Sequence, residues 1–413
     1  MDLLKARATL AIVMLVTLLG SAGIALPYPV LAPYFISDSA DPLIHFMNWN
    51  GKVLLGITLA TYPLGLLIGS NVIGSLSDRY GRKPVLVYTL VGSVLGYLAT
   101  GYAVTQGSFV FFTLSRLITG FFEGNISIAR AIAVELHPQI DRSRALSLLY
   151  STSYAGWLIG PLAGGYLMDY GVDMTFYAGG LAVLLSLLLV IVILEKGPSQ
   201  KPSHLPLIKE ILKNHSATLL RDDALRRFIS YYFVFTLGIN AFYEFYPLWL
   251  VENLGFNSKQ IGWTTVMITS LMVLVSSTFG HKIPRHFGEK RSLLIGNLSF
   301  GLAVIAVTLT TEPLIYLPFA ITGASIAIIN VVFPSMLSEF FGHLGQGKVM
   351  GLQVSIFCST NVIISIIGSF IALISADMIM WTAAILIISS ILLFKMPTQQ
   401  QTSPNTKTRK TRL

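Results

Sequence analysis

Long apolar windows, each near the roughly 20 residues a helix needs to cross a bilayer core, recur along this chain with short polar breaks between them. They fall near 10–35, 51–75, 85–104, 107–135, 143–168 and 174–194, and again near 228–251, 260–279, 292–311, 313–338, 348–374 and 377–395. The pattern predicts twelve transmembrane helices, six followed by six. The only long polar stretch inside the chain, roughly 195–227, separates the two groups. Residues 1–194 and 228–395 are therefore expected to form two helical bundles, with 195–227 a linker and 396–413 a disordered basic tail. Within the linker, "LPLIKEILKNHSATLLRDDALRRF" has apolar residues at helical spacing with basic residues between them. It reads either as an amphipathic helix on the inner leaflet or as a solvated tether. Asp222 is placed to cap the helix leading into span seven. At the N-terminus the apolar run from Ala8 to Ile36 is longer than a secretory signal core, so an uncleaved first span is expected.

Composition agrees with a membrane solvent. The chain is 54% hydrophobic and 11% charged, with a mean hydropathy of +0.70. Soluble domains carry about 25% charged residues. The formal charge of +9 raises the question of nucleic acid. With the N-terminus inside, however, 24 of the 28 lysines and arginines fall in predicted cytoplasmic segments, leaving Lys52, Lys259, Arg116 and Arg130 as exceptions. The outer loops instead carry Asp38, Asp41, Asp169, Asp173, Glu252, Glu312 and Asp377. The basic excess is thus a positive-inside bias, and no soluble basic surface for nucleic acid is expected. A single cysteine, Cys358, excludes a disulfide framework and a multi-cysteine metal site within these residues.

Three motifs stand out. "GSLSDRYGRKP" (Gly74 to Pro84) joins spans two and three, and sets Asp78 among Arg79, Arg82 and Lys83 at the membrane boundary. Its residues Gly74, Leu76, Asp78, Arg79, Gly81, Arg82 and Lys83 resemble the loop signature of the major facilitator superfamily. A decayed copy without the acid, "GHKIPRHFGEKR", follows span eight, half a chain later, as expected of two related halves. Arg116 and Gly120, followed by Glu135, resemble the superfamily's fourth-span motif. That resemblance implies proton coupling for Arg116 and a place for Glu135 in the charge network of the loop signature. "GWLIGPLAGGYL" (Gly156 to Leu167) puts Gly156, Gly160 and Gly164 on one helix face, suited to close packing, with Pro161 able to kink it. With Gly165 it resembles the motif of superfamily exporters. "GIALPYPVLAPYF" in span one is similar to the first span of the drug:proton antiporter group, tetracycline and multidrug exporters among them. Two departures are evident. Gly20 and Ser21 stand where such exporters often carry an acid, and Glu123 stands where tetracycline-type exporters have a small residue.

The resemblance implies an all-α membrane protein, two pseudo-symmetric six-helix bundles around a central cavity lined by spans one, four, seven and ten. It also implies that Asp78 faces the start of span eleven, near Gly347, in one conformational state. An ionisable group deep in a span costs about 2.5–3.5 kcal/mol or more, so it marks a wet cavity or a paired site. The deep charges are Arg116 and Glu123 in span four and Glu244 in span seven. Arg116 and Glu123 are seven residues apart, about 10.5 Å along a helix axis, which disfavours direct pairing. Glu244 is then a candidate partner from the other half, either as a static ion pair or as the proton carrier, and it is preferred to Glu123 as carrier because no arginine shares its span. Phe242, Tyr243, Tyr246 and neighbouring rings mark either an interfacial belt or a substrate wall, which Tyr28, Tyr154 and Trp157 would join.

These features point to a secondary transporter using protons to export a small organic solute by alternating access. An importer of the same fold and a non-transporting sensor are the alternatives. Neither a cofactor nor an enzymatic activity is expected, since the spans carry no metal cluster or Ser/His pair. The partners expected are the solute, protons and the lipid bilayer. The chain is expected to be a monomer in the plasma membrane, more specifically a bacterial inner membrane, with both termini cytoplasmic.

Overall fold

The computed structural model describes residues 3–194, 216–279 and 282–394, so most of the linker and the basic tail lie outside the described residues. Among the described residues there are twelve long helices and no strand. In order the spans are Leu3–Ile36, Gly51–Tyr80, Arg82–Thr105, Phe109–Glu135, Arg142–Leu167 and Val172–Ile193, then Asp223–Leu254, Ser258–Phe279, Glu289–Leu309, Tyr316–Phe341, Gln346–Ile374 and Ala376–Leu393. Ten of the twelve helices are long and apolar enough to cross a membrane; spans five and seven are interrupted by more serines, tyrosines and charges. Large apolar side chains point outward, Val192 and Leu392 among the most exposed. Such a surface suits lipid and not water.

Polar residues set the helix ends. Asn50, Ser108, Asp141, Asp222 and Ser375 each accept a hydrogen bond from a backbone N–H of the first turn they precede. The expected cap at Asp222 is thus formed, at 2.8 Å to the Leu225 N–H. One boundary differs from expectation. "GSLSDRYGRKP" is hardly a loop: span two continues to Tyr80 and span three begins at Arg82, with only Gly81 between. Hydropathy registers where lipid ends, and the helix runs on past it. Gly81 has φ +94°, ψ 154°, and Gly288 of the second copy has φ +80°, ψ 152°. Both lie in the region that glycine alone enters freely, so the two halves share one backbone device.

Packing repeats as well. In the first half spans one and five, one and six, two and four, three and four, and three and six are neighbours; the corresponding pairs seven and eleven, seven and twelve, eight and ten, nine and ten, and nine and twelve are neighbours in the second. Two seams join the halves, span two against eleven and span five against eight. Glycines set both. A Cβ at Gly56 would overlap Ser365 and Ser369 across the first seam, and Gly262 and Gly165 sit against Pro161 and Ser258 across the second. The remaining exporter-type glycines face the other way: Gly156, Gly160 and Gly164 lie against the span one backbone from Leu18 to Leu26. Span five is therefore pinned to span one on one side and to the opposite half on the other.

Candidate functional site

The end of the molecule rich in acidic loops is closed. Lys52 of span two donates to Glu252 of span seven at 2.7 Å and to the Ala372 carbonyl of span eleven at 2.7 Å. Lys259 of span eight is ion-paired with Asp169, and Trp263 donates to the Tyr166 hydroxyl at 3.4 Å. Lys52 and Lys259 are the second residues of their helices, equivalent positions in the two halves. These lysines, out of place by charge distribution, each hold an acid of the opposite half. The pairs are exposed to water, so each stabilises the closed end only weakly. With a cysteine introduced between the halves just beneath this acidic end, reversing Lys52 to glutamate is expected to raise its labelling about two- to fivefold, and Lys52→Glu/Glu252→Lys to reverse much of that rise. Equal labelling in all three proteins would remove the latch from the account.

The opposite, basic end is open between the halves. A side chain added at Gly74 would meet nothing within 4 Å, and Asp78 is 53% exposed. Arg82 gathers the charges there: it bonds Asp78 at 2.5 Å, Glu135 at 2.8 Å and the Ser77 hydroxyl at 2.7 Å. Spans two, three and four are tied by this network. In this conformation Asp78 is held by Arg82 of its own half, and the side chains at 346 and 347, where span eleven starts, lie outside the described residues. Arg79 makes other contacts and Gly81 supplies the turn.

Glu244 stands in the wall between the halves, partly exposed, and its Oε1 accepts a 2.6 Å hydrogen bond from Asn361 of span eleven. Ser365 donates in turn to Asn361 Oδ1 at 3.2 Å. Rings from both halves meet beside it. Tyr28 lies 6.1 Å from Trp157 and 6.0 Å from Tyr246, centroid to centroid. Tyr243 and Tyr154 are partly exposed, and Tyr243 contacts the Met272 sulfur at 3.1 Å. Phe242 requires a correction: it is fully buried in the C-terminal bundle against Tyr246, Phe300 and Phe319, and lines no cavity. Tyr246 is also fully buried, wedged between Tyr28 and the Thr265 hydroxyl at 2.5 Å.

Arg116 and Glu123 differ from expectation more sharply. Both are buried, 5% and 3% exposed, and packed within the N-terminal bundle, with Arg116 still close enough to Glu244 to act on its charge. Neither forms an ion pair with the other or with Glu244 among the described residues. Tyr62 of span two joins them: its ring lies under the Arg116 guanidinium at 4.7 Å, and its hydroxyl donates to Glu123 Oε2. Phe176 of span six covers Arg116 at 5.7 Å. The cause is backbone geometry. Gly65 and Gly69 of span two press against the span four backbone from Leu117 to Phe121, and Gly120 and Gly124 press back on Tyr62 and Ser70. Span four then breaks from α into a single 3-10 turn at Glu123–Asn125. Tyr62, Asn361 and the paired Lys52 and Lys259 escaped the sequence reading. The signal for the glycine pairs was present, since small residues spaced four apart in both spans favour close approach.

Paired six-helix bundles with one repeated packing, buried charges and a seam of rings between them define a multi-pass membrane transporter. The chain belongs to the Major Facilitator Superfamily, whose family model matches residues 10–283 and again 228–412. It is a transporter and not an enzyme. It is 24% identical over 404 residues to the class H tetracycline resistance protein of Pasteurella multocida, covering 96% of this chain and 98% of that protein. Multidrug resistance protein 2 of Bacillus subtilis (strain 168) is 24% identical over 335 residues, 80% of each chain. Among solved structures, the fold is similar to the human organic anion transporter MFSD10, with TM-score 0.72, 20% identity and coverage of 94% and 99%. It is similar too to a D-xylose-proton symporter, with TM-score 0.74, 16% identity and coverage of 96% and 99%.

Proposed function

We propose that this transporter exports a small organic solute from the cell, driven by protons moving inward. Glu244 is the group at which proton and solute meet. The observation that carries this is the placement of Glu244, an acid in the wall between the halves, beside Tyr28, Trp157 and Tyr243. Tyrosine and tryptophan faces attract flat or cationic molecules, and an acid beside them binds either a proton or a cationic group. Asn361 suits both protonation states, because an amide offers a donor to a carboxylate and an acceptor to a carboxylic acid. The names of the relatives, resistance proteins for tetracycline and for multiple drugs, favour export. In the proposed orientation both termini are cytoplasmic, in a bacterial inner membrane, and the conformation described is open inward. Alternating access then requires the outer lysine latches to part as the basic end closes, with Asp78, Arg82 and Glu135 guiding that closure.

The test is retention of a panel of fluorescent and toxic organic compounds in efflux-deficient cells. Expression is expected to lower retention of at least one compound, and a protonophore to abolish the effect. Raised retention would make the chain an importer. A lowered retention indifferent to the protonophore would remove the proton from the mechanism.

A further inference from the structure

Glu123 does more than carry a buried charge. Tyr62 holds one carboxylate oxygen; the other, Oε1, makes no well-aligned hydrogen bond among the described residues, with the Tyr97 hydroxyl facing the same carboxylate and equally short of a partner. Glu123 borders a small pocket wholly inside the N-terminal bundle, between spans one, three, four and six. Thr17, Gly20, Ser21, Ser93, Asn125 and Ser186 line that pocket on its polar sides, and it admits a water-sized molecule. The Ser93 hydroxyl is fully buried and likewise unpartnered. Buried polar groups without protein partners are the places where internal water is held.

The pocket does not end there. A second one shares Thr17 and Ala129 with it and continues between spans one, four and five to Ser153, Arg130 and Tyr150. Ser21 and Ser153 hydroxyls are 2.9 Å apart at the crossing. Tyr150 is 44% exposed and the Arg130 guanidinium lies over its ring at 5.1 Å, on the side of the basic end. A polar line thus leads to Glu123 from Arg130 and Tyr150, which adjoin Tyr154 of span five on the basic side of the rings that meet at Tyr28 and Trp157.

We propose that Glu123 is a second proton site reached by a water-bearing branch through the N-terminal bundle, which leaves the basic end near Tyr150 and Arg130 and bypasses Glu244 and the aromatic seam. Water and the serine and threonine hydroxyls pass a proton from the basic end to Glu123 Oε1, and Tyr62 keeps the other oxygen satisfied in either state. The titratable groups facing Glu123 are Tyr62 from span two, Tyr97 from span three and Arg116 from its own span. Spans one and six contribute hydroxyl-bearing and apolar residues to the pocket and no titratable group. Gly20 matters because a bulky residue there would close the path. A Cβ at Gly20 meets nothing within 4 Å, so a side chain can enter the pocket without displacing backbone.

The inference rests on the reading above only in taking the proton as the coupling ion, and its test needs no transport. Purified full-length protein in lipid is examined by infrared difference spectroscopy. The carboxylic-acid band lost in Glu123→Gln is assigned to Glu123. Its shift is then timed after exchange of the buffer into D2O. Gly20→Leu is expected to slow the shift about tenfold or more, because a close-packed interior excludes water. Thr17→Val, which removes one hydroxyl at constant volume, is expected to slow it severalfold, while Glu244→Gln and Trp157→Leu leave it unchanged. The proposal is overturned if neither path variant slows the shift, if the cavity variants slow it instead, or if Glu123 gives no acid band at any pH the fold survives. A wild type that exports nothing in cells would end the export reading and leave this measurement standing.

Discussion

Glu244→Gln is expected to reach the membrane in normal amounts and to lose proton-driven export by about a hundredfold, the scale on which a positioned proton-transfer group matters. The substitution keeps the shape and keeps a hydrogen bond to Asn361, so its effect isolates the charge. Exchange of a solute without a cationic group, across a membrane with no proton gradient, is expected to persist within about twofold, since the rings from Tyr28 to Tyr243 are untouched, whereas a cationic solute loses its counter-charge and exchanges more slowly. Glu244→Asp keeps the charge but withdraws it by one methylene from Asn361, and is expected to fall between the two. The measurement is uphill transport against exchange in proteoliposomes. A Glu244→Gln protein that still concentrates solute would move the coupling out of span seven and leave Glu123 as the acid to examine.

The twelve spans were legible because a hydropathy window reports lipid contact, and a helix in lipid has no alternative partner for its backbone. The same window misplaced helix ends for the same reason. Span two continues through Asp78 and Arg79, and span seven begins at Asp223, where water satisfies the side chains. Gly81 and Gly288 gave the turns away, since each stands alone in a charged stretch and only glycine tolerates that φ.

The site was half legible. Arg116, Glu123 and Glu244 announced themselves as charges on an apolar background, yet their partners did not. Tyr62 and Asn361 are unremarkable residues in a span, and only the tertiary packing brings one beneath Arg116 and the other to Glu244. Helix membership also proved a coarse guide to facing. Span four was expected on the cavity, but its glycines draw it against span two and turn both charges inward. Phe242 was misassigned because an aromatic run covers every face of a helix, and sequence alone does not say which ring is the core ring. Lys52 and Lys259 carried a usable signal, as basic residues on the wrong side of a charge bias need a local acid.

Removing Arg116 tests whether the buried cation and Glu123 form one unit. Arg116→Met replaces the guanidinium with a side chain that packs against Tyr62 and Phe176 but leaves the Glu123 carboxylate with no neighbouring positive charge. A buried charge stripped of its counter-charge is strongly destabilising, by about 3–5 kcal/mol where the two are in contact. Here Tyr62 stands between them, so a smaller coupling of about 1–3 kcal/mol is expected. Arg116→Met/Glu123→Gln should recover most of the lost thermal stability without recovering transport, because it removes both charges and keeps the volume. Arg116→Lys should not substitute, since an ammonium lacks the planar face that stacks on two rings and the spread of its charge. The sign with pH is fixed. The penalty of Arg116→Met belongs to the ionised carboxylate, so it shrinks as the pH falls and Glu123 takes up its proton. Unfolding midpoints of wild type, Arg116→Met, Glu123→Gln and Arg116→Met/Glu123→Gln across pH decide it. Single-variant effects that simply add, with no pH dependence, would make Arg116 and Glu123 two independent charges, each held by its neighbouring rings and hydroxyls.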